Sequence, residues 1–457
     1  MTSATAARPS LDPRVPPGPR PHLILGNLPE FGRDTLGFFS GCTRDYGDVV
    51  RVSLGGRPAF ILNHPDHFES VLVTNHRNFI KHRWFWRHVR TLFGNGLLVS
   101  EGDEWVQQRK LMQPAFHRER ISEYGRVMID FTERMLAQWH DGQTRDTHLE
   151  MMRLTMDIVV RTLFGMEVSG IEASDVAHAF DIAVKQIAVR FTRPFFIPDW
   201  VPLPNNVRFR RAIQGLDRLM DRIIADRRKT PGDDLLSMLI ELGMNDRELR
   251  DQAITMFLAG HETTALAMSW TWYLLSQHPD VESKLHGELD DVLGDRPLQP
   301  EDAERLPFTR AVVLESMRLY PPAYAFGREA IHDCEIGGYH IPAGSTVFMV
   351  PWVVHRDPRW FRDPERFDPS RWDGDFAKSI PPFAYLPFGG GPRRCIGNSF
   401  ATMEAILLLA QIARRFRLRL ADDQRVEPFP TITLRPRYGM RMVITNRAAE
   451  ASSTPAA

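Results

Sequence analysis

The sequence predicts a mainly α-helical protein with a small β region, an α+β fold. The strongest observation is a run of about thirty residues from Asn245 to His278 that is apolar nearly all round, which predicts a long buried helix. Helical patterning also fills most of the stretch 121–242. Short strand patterns are few and are grouped near the two ends of the chain. Helices are therefore expected to form the body of the molecule.

The composition is that of a globular protein with no preference for charged partners. The chain has 457 residues, with 57 basic and 57 acidic side chains and a net charge of +0. No bulk field attracts nucleic acid, so we expect no nucleic-acid partner. No run approaches the ~18 consecutive apolar residues of a membrane span, and the first residues lack the apolar core of a signal peptide. We expect a cytoplasmic monomer without a membrane span.

The same features set the expected domain limits. Residues 1–14 are small and polar and predict a disordered N-terminus, and residues 448–457 predict a disordered tail. Residues 15–447 show no internal repeat, linker or strong change of composition, which predicts a single domain. No Gly-rich phosphate motif of the dinucleotide or Walker type occurs, so the chain carries no evident flavin or nicotinamide domain.

The N-terminal part combines helices with one hairpin. Turn and cap residues predict a helix at Asp34–Tyr46, strands at Val49–Leu54 and Pro58–Leu62, and a helix from Pro65 to about Thr74. Next, Phe79–Leu98 interleaves aromatic with basic side chains, namely Trp84, Phe85, Trp86 and Phe93 with Lys81, Arg83, Arg87 and Arg90. We expect a partly buried connection that lines a pocket.

A helix after Gly102 carries Trp105 and Arg109. These residues are four apart and therefore share one face. An indole N–H and a guanidinium that point the same way can hold one anionic group. A core tryptophan beside a solvated arginine is an equally good reading of this pattern.

The long buried helix has clear ends and an unusual centre. Asn245 and Glu248 can form a capping box at its start, and Pro279 blocks its continuation. Its centre, Ala259–Thr264, contains a glycine, a buried glutamate and two threonines, which suit a helix interior poorly. We predict a kink or widened turn there that makes room for a ligand, and hence a functional site.

The C-terminal third leads to a glycine-rich loop. A helix at Pro307–Leu319 holds the i,i+3 pair Glu315 and Arg318, and short strands are expected near 325–331, 339–349, 431–434 and 440–445. The loop Phe388-Gly-Gly-Gly-Pro-Arg-Arg-Cys395-Ile-Gly397 precedes a helix predicted over 398–416. A helix N-terminus and two arginines favour thiolate at Cys395, which can then act as a metal ligand or a nucleophile.

These stretches together resemble the cytochrome P-450 superfamily of haem-thiolate monooxygenases. The loop fits the family's cysteine signature, Phe-x-x-Gly-x-Arg-x-Cys-x-Gly, at Phe388, Gly391, Arg393, Cys395 and Gly397. The resemblance covers about residues 15–447 and implies haem b between the long central helix and the cysteine-loop helix. Four further segments fit family motifs in the family's order: Trp105-x-x-x-Arg109, Ala259–Thr264, Glu315-x-x-Arg318 and Pro364-Glu-Arg-Phe367.

The resemblance implies a role for each matching residue. Cys395 is expected to be the axial ligand of haem iron, shielded by Phe388, with backbone N–H groups near Gly397 tempering its donation. Arg393, Arg109, Trp105 and Arg328 are expected to hold the propionates. Gly260 is expected to let the long helix approach the haem face. Thr263 is expected to hydrogen-bond dioxygen, with Glu262 connecting to a proton supply. Glu315, Arg318 and Arg366 are expected to form a buried structural network.

The implied reaction is insertion of one oxygen atom from dioxygen into a C–H or C=C bond of a lipophilic substrate, with fatty acids and terpenoids as first candidates. Electrons are expected from a ferredoxin or flavodoxin with its reductase, docking near Arg393, Arg394, Lys110 and Arg118. Expected pocket segments are 84–97, 191–203, Phe257 and 323–326, and Arg83, Arg87 or Arg90 could anchor a carboxylate. The alternatives are a haem-thiolate isomerase or dehydratase and a haem-binding carrier or sensor.

Overall fold

The computed structural model describes residues 15–166, 179–180, 182–187 and 200–447. The predicted disorder of residues 1–14 and 448–457 lies outside the described residues, as does most of the predicted pocket segment 191–203. None of the helices in the described part of the chain combines the length and the hydropathy that a membrane span requires.

Helices form most of the described structure. Their bounds, in chain order, are α1 Leu28–Arg33, α2 Thr35–Tyr46, α3 Pro65–Glu69, α4 Arg83–Phe93, α5 Gly102–Met112, α6 Arg118–Leu136, α7 Thr147–Phe164, α8 Pro204–Lys229, α9 Leu235–Glu241, α10 Asp246–Gln277, α11 Pro279–Leu293, α12 Pro307–Leu319, α13 Pro351–Val354, α14 Phe376–Ser379 and α15 Asn398–Ala413. Single turns of other helix types lie at Ser70–Thr74, His76–Asn78, Gln113–Phe116, Pro300–Glu304, Pro369–Trp372 and Gly391–Arg393.

The strands form small sheets. They are β1 Val49–Leu54, β2 Arg57–Leu62, β3 Phe79–Ile80, β4 Thr144–Asp146, β5 Phe326–Ala330, β6 Cys334–Ile336, β7 Tyr339–Ile341, β8 Thr346–Met349, β9 Phe416–Leu420, β10 Pro428–Pro430, β11 Leu434–Pro436 and β12 Arg441–Asn446. The largest sheet has the order β1-β2-β8-β5-β3, and a second has the order β4-β12-β9. The predicted hairpin is confirmed, with Val49 opposite Leu62. Mainly helical structure with minor sheets confirms the predicted α+β class.

The long helix α10, called the central helix below, is the axis of the molecule. The predicted capping box is present: the Asn245 side chain accepts a hydrogen bond from the Glu248 amide, and the Glu248 carboxylate accepts one from the Asn245 amide. The helix is buried along most of its length, with Trp270 and Trp272 among the largest fully buried side chains. It packs most extensively against α7, and also contacts the helix α15 that follows Cys395.

Four details differ from the sequence prediction. The segment Phe79–Leu98 contains the regular helix α4, because Phe85, Val89, Leu92 and Phe93 recur at helical spacing and face the core. The central helix is a continuous α-helix through 259–264, so the predicted widened turn is wrong and the predicted kink stays a prediction. The helix after Cys395 ends at Ala413, because Phe416 already belongs to β9. The strand β4 was not predicted and pairs with the C-terminal β12.

Candidate functional site

A large cavity lies between the central helix and the loop that carries Cys395. Its volume is about 690 Å³. The central helix and the cysteine loop, which carry separate sequence motifs, contribute residues to opposite sides of the cavity. Other walls are formed by the N-terminal hairpin, α4 and the strands β5 and β8. The residues of the predicted site that line it are Trp105, Arg109, Gly260, Glu262, Thr263, Arg328, Phe388, Arg393, Cys395 and Gly397.

The cysteine loop is shaped by its own backbone. The Cys395 amide donates to the Phe388 carbonyl at 3.0 Å, which closes the loop. Gly391 has φ +64° and lies against the segment Ser70–Thr74, where a Cβ would sit 1.9 Å from the Leu72 carbonyl oxygen. Only glycine combines that dihedral with that close approach. The loop therefore presents the Cys395 side chain to the cavity, where its surface is exposed.

The sequence predicted that the surroundings of Cys395 favour the thiolate, but in the structure they favour the neutral thiol. Burial of the site raises the pKa of Cys395, and this effect outweighs the Gly397 backbone N–H, Arg109 and Arg394, which lower it. Arg393, which was expected to favour the thiolate, points to other groups. A cation bound at the sulfur offsets the cost of the thiolate, so the environment suits a metal ligand better than a free nucleophile.

Three cations converge beside the cavity. Arg393 donates to the Ser100 carbonyl at 2.8 Å and pairs with Glu101, and Lys81 donates to the Leu98 carbonyl. Burial lowers the pKa of Arg328 to about 10, and burial, Arg328 and Arg393 together lower the pKa of Lys81 well below its usual value. Among the described residues, Glu101 is the carboxylate that favours the charged forms of all three. A bound anion would favour the charged form of Lys81, so this basic cluster suits an anionic ligand.

The helix α5 supplies the aromatic edge of this cation cluster. The Arg393 guanidinium lies 4.2 Å from the centre of the Trp105 ring, and that of Arg109 lies 5.7 Å away. Arg109 also donates from Nη1 to the Arg394 carbonyl at 2.9 Å. Arg109 thus ties α5 to the cysteine loop, while Trp105 supports Arg393 by a cation–π contact.

On the opposite wall, the central helix presents Thr263. Its hydroxyl donates to the Ala259 carbonyl at 2.8 Å, one turn earlier in the helix. Gly260 also lines the cavity, but a Cβ there would lie 2.8 Å from a γ-methyl of Val159 on α7. The missing side chain therefore serves the packing of two helices, and the expected role of Gly260 in the approach to the haem stays a prediction.

Glu262 has a partner that the sequence did not reveal. Its carboxylate accepts from the Thr433 hydroxyl at 2.6 Å and from the Arg435 guanidinium at 2.7 Å, and both charged side chains are buried. Burial pushes the pKa of Glu262 up, but Arg435 and Thr433 prevail, and the pKa lies below its usual value. Glu262 is an anion held towards β11, and its role in a proton supply stays a prediction.

The buried network at Glu315 is real, but its third member was wrong. Glu315 and Arg318 are fully buried and form two short hydrogen bonds, of 2.8 and 2.9 Å. Arg366 is exposed and contributes its backbone carbonyl, which accepts from Arg318 at 3.1 Å. The guanidinium that approaches Glu315, at 3.4 Å, belongs to Arg371, and the indole N–H of Trp372 donates at 3.0 Å.

The predicted pocket segments are partly confirmed. Residues from 85–97 and 323–326 line the cavity, whereas Phe257 does not, because its ring stacks on Phe180 at 4.8 Å inside the core. Lys81 was noted in the sequence only as one of several basic residues, and its burial was not foreseen. Among the residues that the structure describes, no group of three or more His, Cys, Asp or Glu side chains could hold a metal ion.

Comparison with known proteins agrees with this geometry. The cytochrome P450 family profile matches residues 16–441. Cyclooctatin synthase of Streptomyces melanosporofaciens is 37% identical over 430 residues, covering 92% of this chain and 93% of that protein. Cyclooctat-9-en-7-ol 5-monooxygenase of the same organism is also 37% identical over 430 residues, covering 91% and 93%. Pentalenene oxygenase of Streptomyces avermitilis is 34% identical over 435 residues, covering 93% and 96%.

The chain belongs to the cytochrome P450 family and is a haem-thiolate monooxygenase. Enzymes of this family use dioxygen, a lipophilic substrate and electrons from redox partners. The residues present fit the cofactor, since one exposed sulfur meets the cavity and the basic side chains Arg328, Arg393 and Lys81 beside it suit the two propionates.

Proposed function

We propose that the protein oxidises a terpenoid by inserting one oxygen atom of dioxygen into a C–H or C=C bond. The observation that carries this proposal is an apolar cavity that ends at Cys395. Its apolar wall includes Phe85, Trp86, Phe93, Leu97, Leu98, Val184, Met256, Ala259, Ala323 and Phe326. Two relatives that match more than nine-tenths of the chain are named cyclooctat-9-en-7-ol 5-monooxygenase and pentalenene oxygenase, and these names support the same substrate class.

A fatty acid is less well served by this wall, because Arg83, Arg87 and Arg90, the suggested carboxylate anchors, are not among the described residues that line the cavity. Arg83 is taken up by Glu329, which accepts from its Nε at 2.7 Å and from its backbone amide at 3.0 Å. Arg90 points a guanidinium nitrogen at the Val99 carbonyl. An uncharged polycyclic substrate needs no such anchor, since burial of apolar surface supplies its binding energy.

The cofactor in this proposal is haem b. Cys395 would bind the haem iron through its sulfur, to which the Gly397 N–H donates, and Phe388 lines the cavity on the same loop. Arg393, Arg328 and Lys81 neutralise the propionates, with Trp105 and Arg109 supporting Arg393 and the loop. When bound, the haem iron activates dioxygen. Thr263 donates a hydrogen bond into the cavity when its hydroxyl turns from the Ala259 carbonyl.

Electrons come from a ferredoxin or flavodoxin with its reductase, docked on the cysteine side of the haem. Arg394 and Lys110 are exposed there, and the Arg118 side chain is 86% exposed although it pairs with Glu304. Arg393 pairs with Glu101 and is only partly exposed, so the docking contacts in this proposal are Arg394, Lys110 and Arg118. The expectations of a monomer and of a cytoplasmic location stay predictions.

Two measurements test the proposal. The reduced protein with carbon monoxide should show the red-shifted Soret band of a thiolate ligand, and Cys395→Ser should lose that band. A spectral titration should then compare polycyclic terpene hydrocarbons and alcohols with fatty acids of matched carbon number. Tight binding of terpenoids with a shift of the ferric Soret band is expected. Preferential binding of the fatty acids would overturn the terpenoid assignment while leaving the haem-thiolate assignment intact.

A further inference from the structure

Phe383, in the segment that leads into the cysteine loop, has a strained backbone. Its φ is +67°, a left-handed value that it shares, among the described residues other than glycine, with Asp363 alone. The Ala384 amide donates to the Pro381 carbonyl at 3.0 Å and closes a turn. Because Pro382 holds the second position of that turn at a φ of about −65°, the positive φ of Phe383 makes it a type II turn. Glycine is the usual residue at that third position, and a phenylalanine there costs free energy.

The strained turn brings the ring of Phe383 against Gly390 in the cysteine loop. A Cβ at position 390 would lie 2.2 Å from Cε1 of that ring and 3.0 Å from Cδ1, and the three heavy atoms nearest to it all belong to Phe383. Gly390 itself has φ −154° and ψ 175°, an extended conformation that any residue adopts. Position 390 is therefore a glycine for reasons of space, and the Phe383 ring takes that space.

The first half of the cysteine loop depends on its neighbours for a fixed path. Residues Gly389–Gly391 have no side chains that could pack, and glycine loses more backbone freedom on folding than any other residue. Gly391 rests on the main-chain carbonyl of Leu72, and Gly390 rests on the ring of Phe383. The ring therefore supplies side-chain packing that the loop itself lacks.

Phe383 is in turn fixed by its surroundings. Its ring packs on a hydrophobic cluster that includes Leu386. The residues that follow are anchored, since the Tyr385 hydroxyl donates to the Leu314 carbonyl at 2.8 Å and the Leu386 amide donates to Nε2 of His355 at 3.0 Å. A strained backbone persists only where the surrounding structure determines it, and such residues are concentrated at functional sites.

We propose that Phe383 is a positioning residue for the cysteine loop: its strained turn directs the ring onto Gly390 and thereby holds the backbone that carries Cys395. The Cys395 amide donates to the Phe388 carbonyl, so a displacement at Gly390 is passed on to the residue that bears the sulfur. Phe383 is not among the described residues that line the cavity, and it acts through the loop alone. This inference rests on the proposed role of Cys395 and not on the identity of the substrate.

Phe383→Asn tests the ring without adding strain, because asparagine tolerates a positive φ. In the reduced carbon monoxide complex of the holoenzyme, the fraction with the neutral-thiol band should rise severalfold at the expense of the thiolate band. Hydrogen exchange of the amides in 389–395 should become severalfold faster. Phe383→Tyr keeps the ring and should keep the wild-type band and exchange rates.

Tyr339→Asn is the matched control, because Tyr339 packs on the same hydrophobic cluster from β7. It should leave the thiolate band and the exchange of the loop unchanged. An unchanged band and unchanged exchange in Phe383→Asn would overturn the proposal. An equal loss of the thiolate band in Tyr339→Asn would also overturn it, since the effect would then come from the packing of the whole cluster.

The contact itself is tested by a double-mutant cycle. Gly390→Ala places a Cβ on the ring and should reduce the thiolate band severalfold, whereas Gly390→Ala combined with Phe383→Asn should lose no more than Phe383→Asn alone. Losses that simply add would overturn the proposal, because the ring and the glycine would then act independently. A wild type without the thiolate band would overturn the assignment of Cys395 and this inference with it. A normal wild-type band with an unaffected Phe383→Asn overturns this inference alone.

Discussion

Glu262 on the central helix and Arg435 on β11 form an ion pair of 2.7 Å in which the side chains are 3% and 11% exposed. The Thr433 hydroxyl donates to the same carboxylate oxygen at 2.6 Å. The pair therefore joins the middle of the central helix to a strand 173 residues further along the chain. Its geometry makes Glu262 a tether between two elements at the cavity wall.

Replacing Arg435 should destabilise the fold in a pH-dependent way. In Arg435→Met the buried Glu262 carboxylate keeps Thr433 but loses its counter-charge, which costs about 3–5 kcal/mol at pH 7. The pKa of Glu262 is lowered in the wild type, so its contribution is present above the unfolded value of ~4.3 and is lost as the pH falls through the folded pKa. In Arg435→Met the pKa of Glu262 is raised, because the carboxylate is buried without its counter-charge. The difference in free energy of unfolding between the wild type and the variant should therefore become smaller as the pH falls.

Urea unfolding of the two proteins from pH 7 to pH 4 measures this gap. Arg437→Met is the matched control, because Arg437 forms a more exposed pair with Glu427 on the same segment. That control should lose at most about 1 kcal/mol. A gap between wild type and Arg435→Met that stays constant with pH would show that Glu262 is not the group responsible.

The Glu315 network should depend on Arg371 and not on Arg366. Arg371→Ala removes a buried guanidinium beside Glu315, while Arg318 and Trp372 remain, so a loss of about 2 kcal/mol is expected. Arg366→Ala keeps the backbone carbonyl that Arg318 uses and removes an exposed side chain, so its effect should stay within about 0.5 kcal/mol. Thermal unfolding of the two holo-variants shows which arginine supports the network. A larger loss of stability in Arg366→Ala than in Arg371→Ala would support the sequence-based assignment of Arg366.

Gly260 should be coupled to Val159. A Cβ at position 260 meets a γ-methyl of Val159 at 2.8 Å, and the stiff β-branched side chain cannot turn away freely. Gly260→Ala is expected to cost about 1–3 kcal/mol from overpacking, partly offset by the ~1 kcal/mol better helix propensity of alanine. A double-mutant cycle with Val159→Ala should show a favourable coupling. The carbon monoxide band of Gly260→Ala should stay unchanged. If that band is lost and the stability effects of the two substitutions simply add, Gly260 is instead needed for the approach of the helix to the haem.

The parts of this structure that sequence could predict are local. Asn245 and Glu248 of the capping box are three positions apart, and so are Glu315 and Arg318. Spacing alone therefore placed these side chains together. Helix α4 was not predicted, although Phe85, Val89, Leu92 and Phe93 recur at helical spacing, because the basic residues between them break the apolar run in the sequence.

The parts that sequence could not predict are contacts between distant segments. Arg393 and Glu101 are 292 residues apart, and Glu262 and Arg435 are 173 apart. No spacing rule relates such positions, because the loops that bring them together are irregular. The sequence assigned Arg366 to the Glu315 network, whereas the structure places Arg371 there, for the same reason. The path of the segment after α13 decides which of its arginines faces Glu315.

Thr263 should control how electrons are used, and its effect should differ from that of other threonines on the same helix. Its hydroxyl lies at the cavity wall and donates to the Ala259 carbonyl, as Thr271 donates to the Ala267 carbonyl at 2.7 Å deep in the core. Thr263→Val removes a hydrogen-bond donor from the cavity, so product formed per electron pair should fall severalfold while substrate binding is retained. Thr271→Val removes an equivalent helix hydrogen bond away from the cavity and should leave coupling unchanged. Oxygen uptake, peroxide release and product, measured together, give the coupling of each variant. Equal coupling in Thr263→Val and the wild type would mean that protons reach the cavity without this hydroxyl.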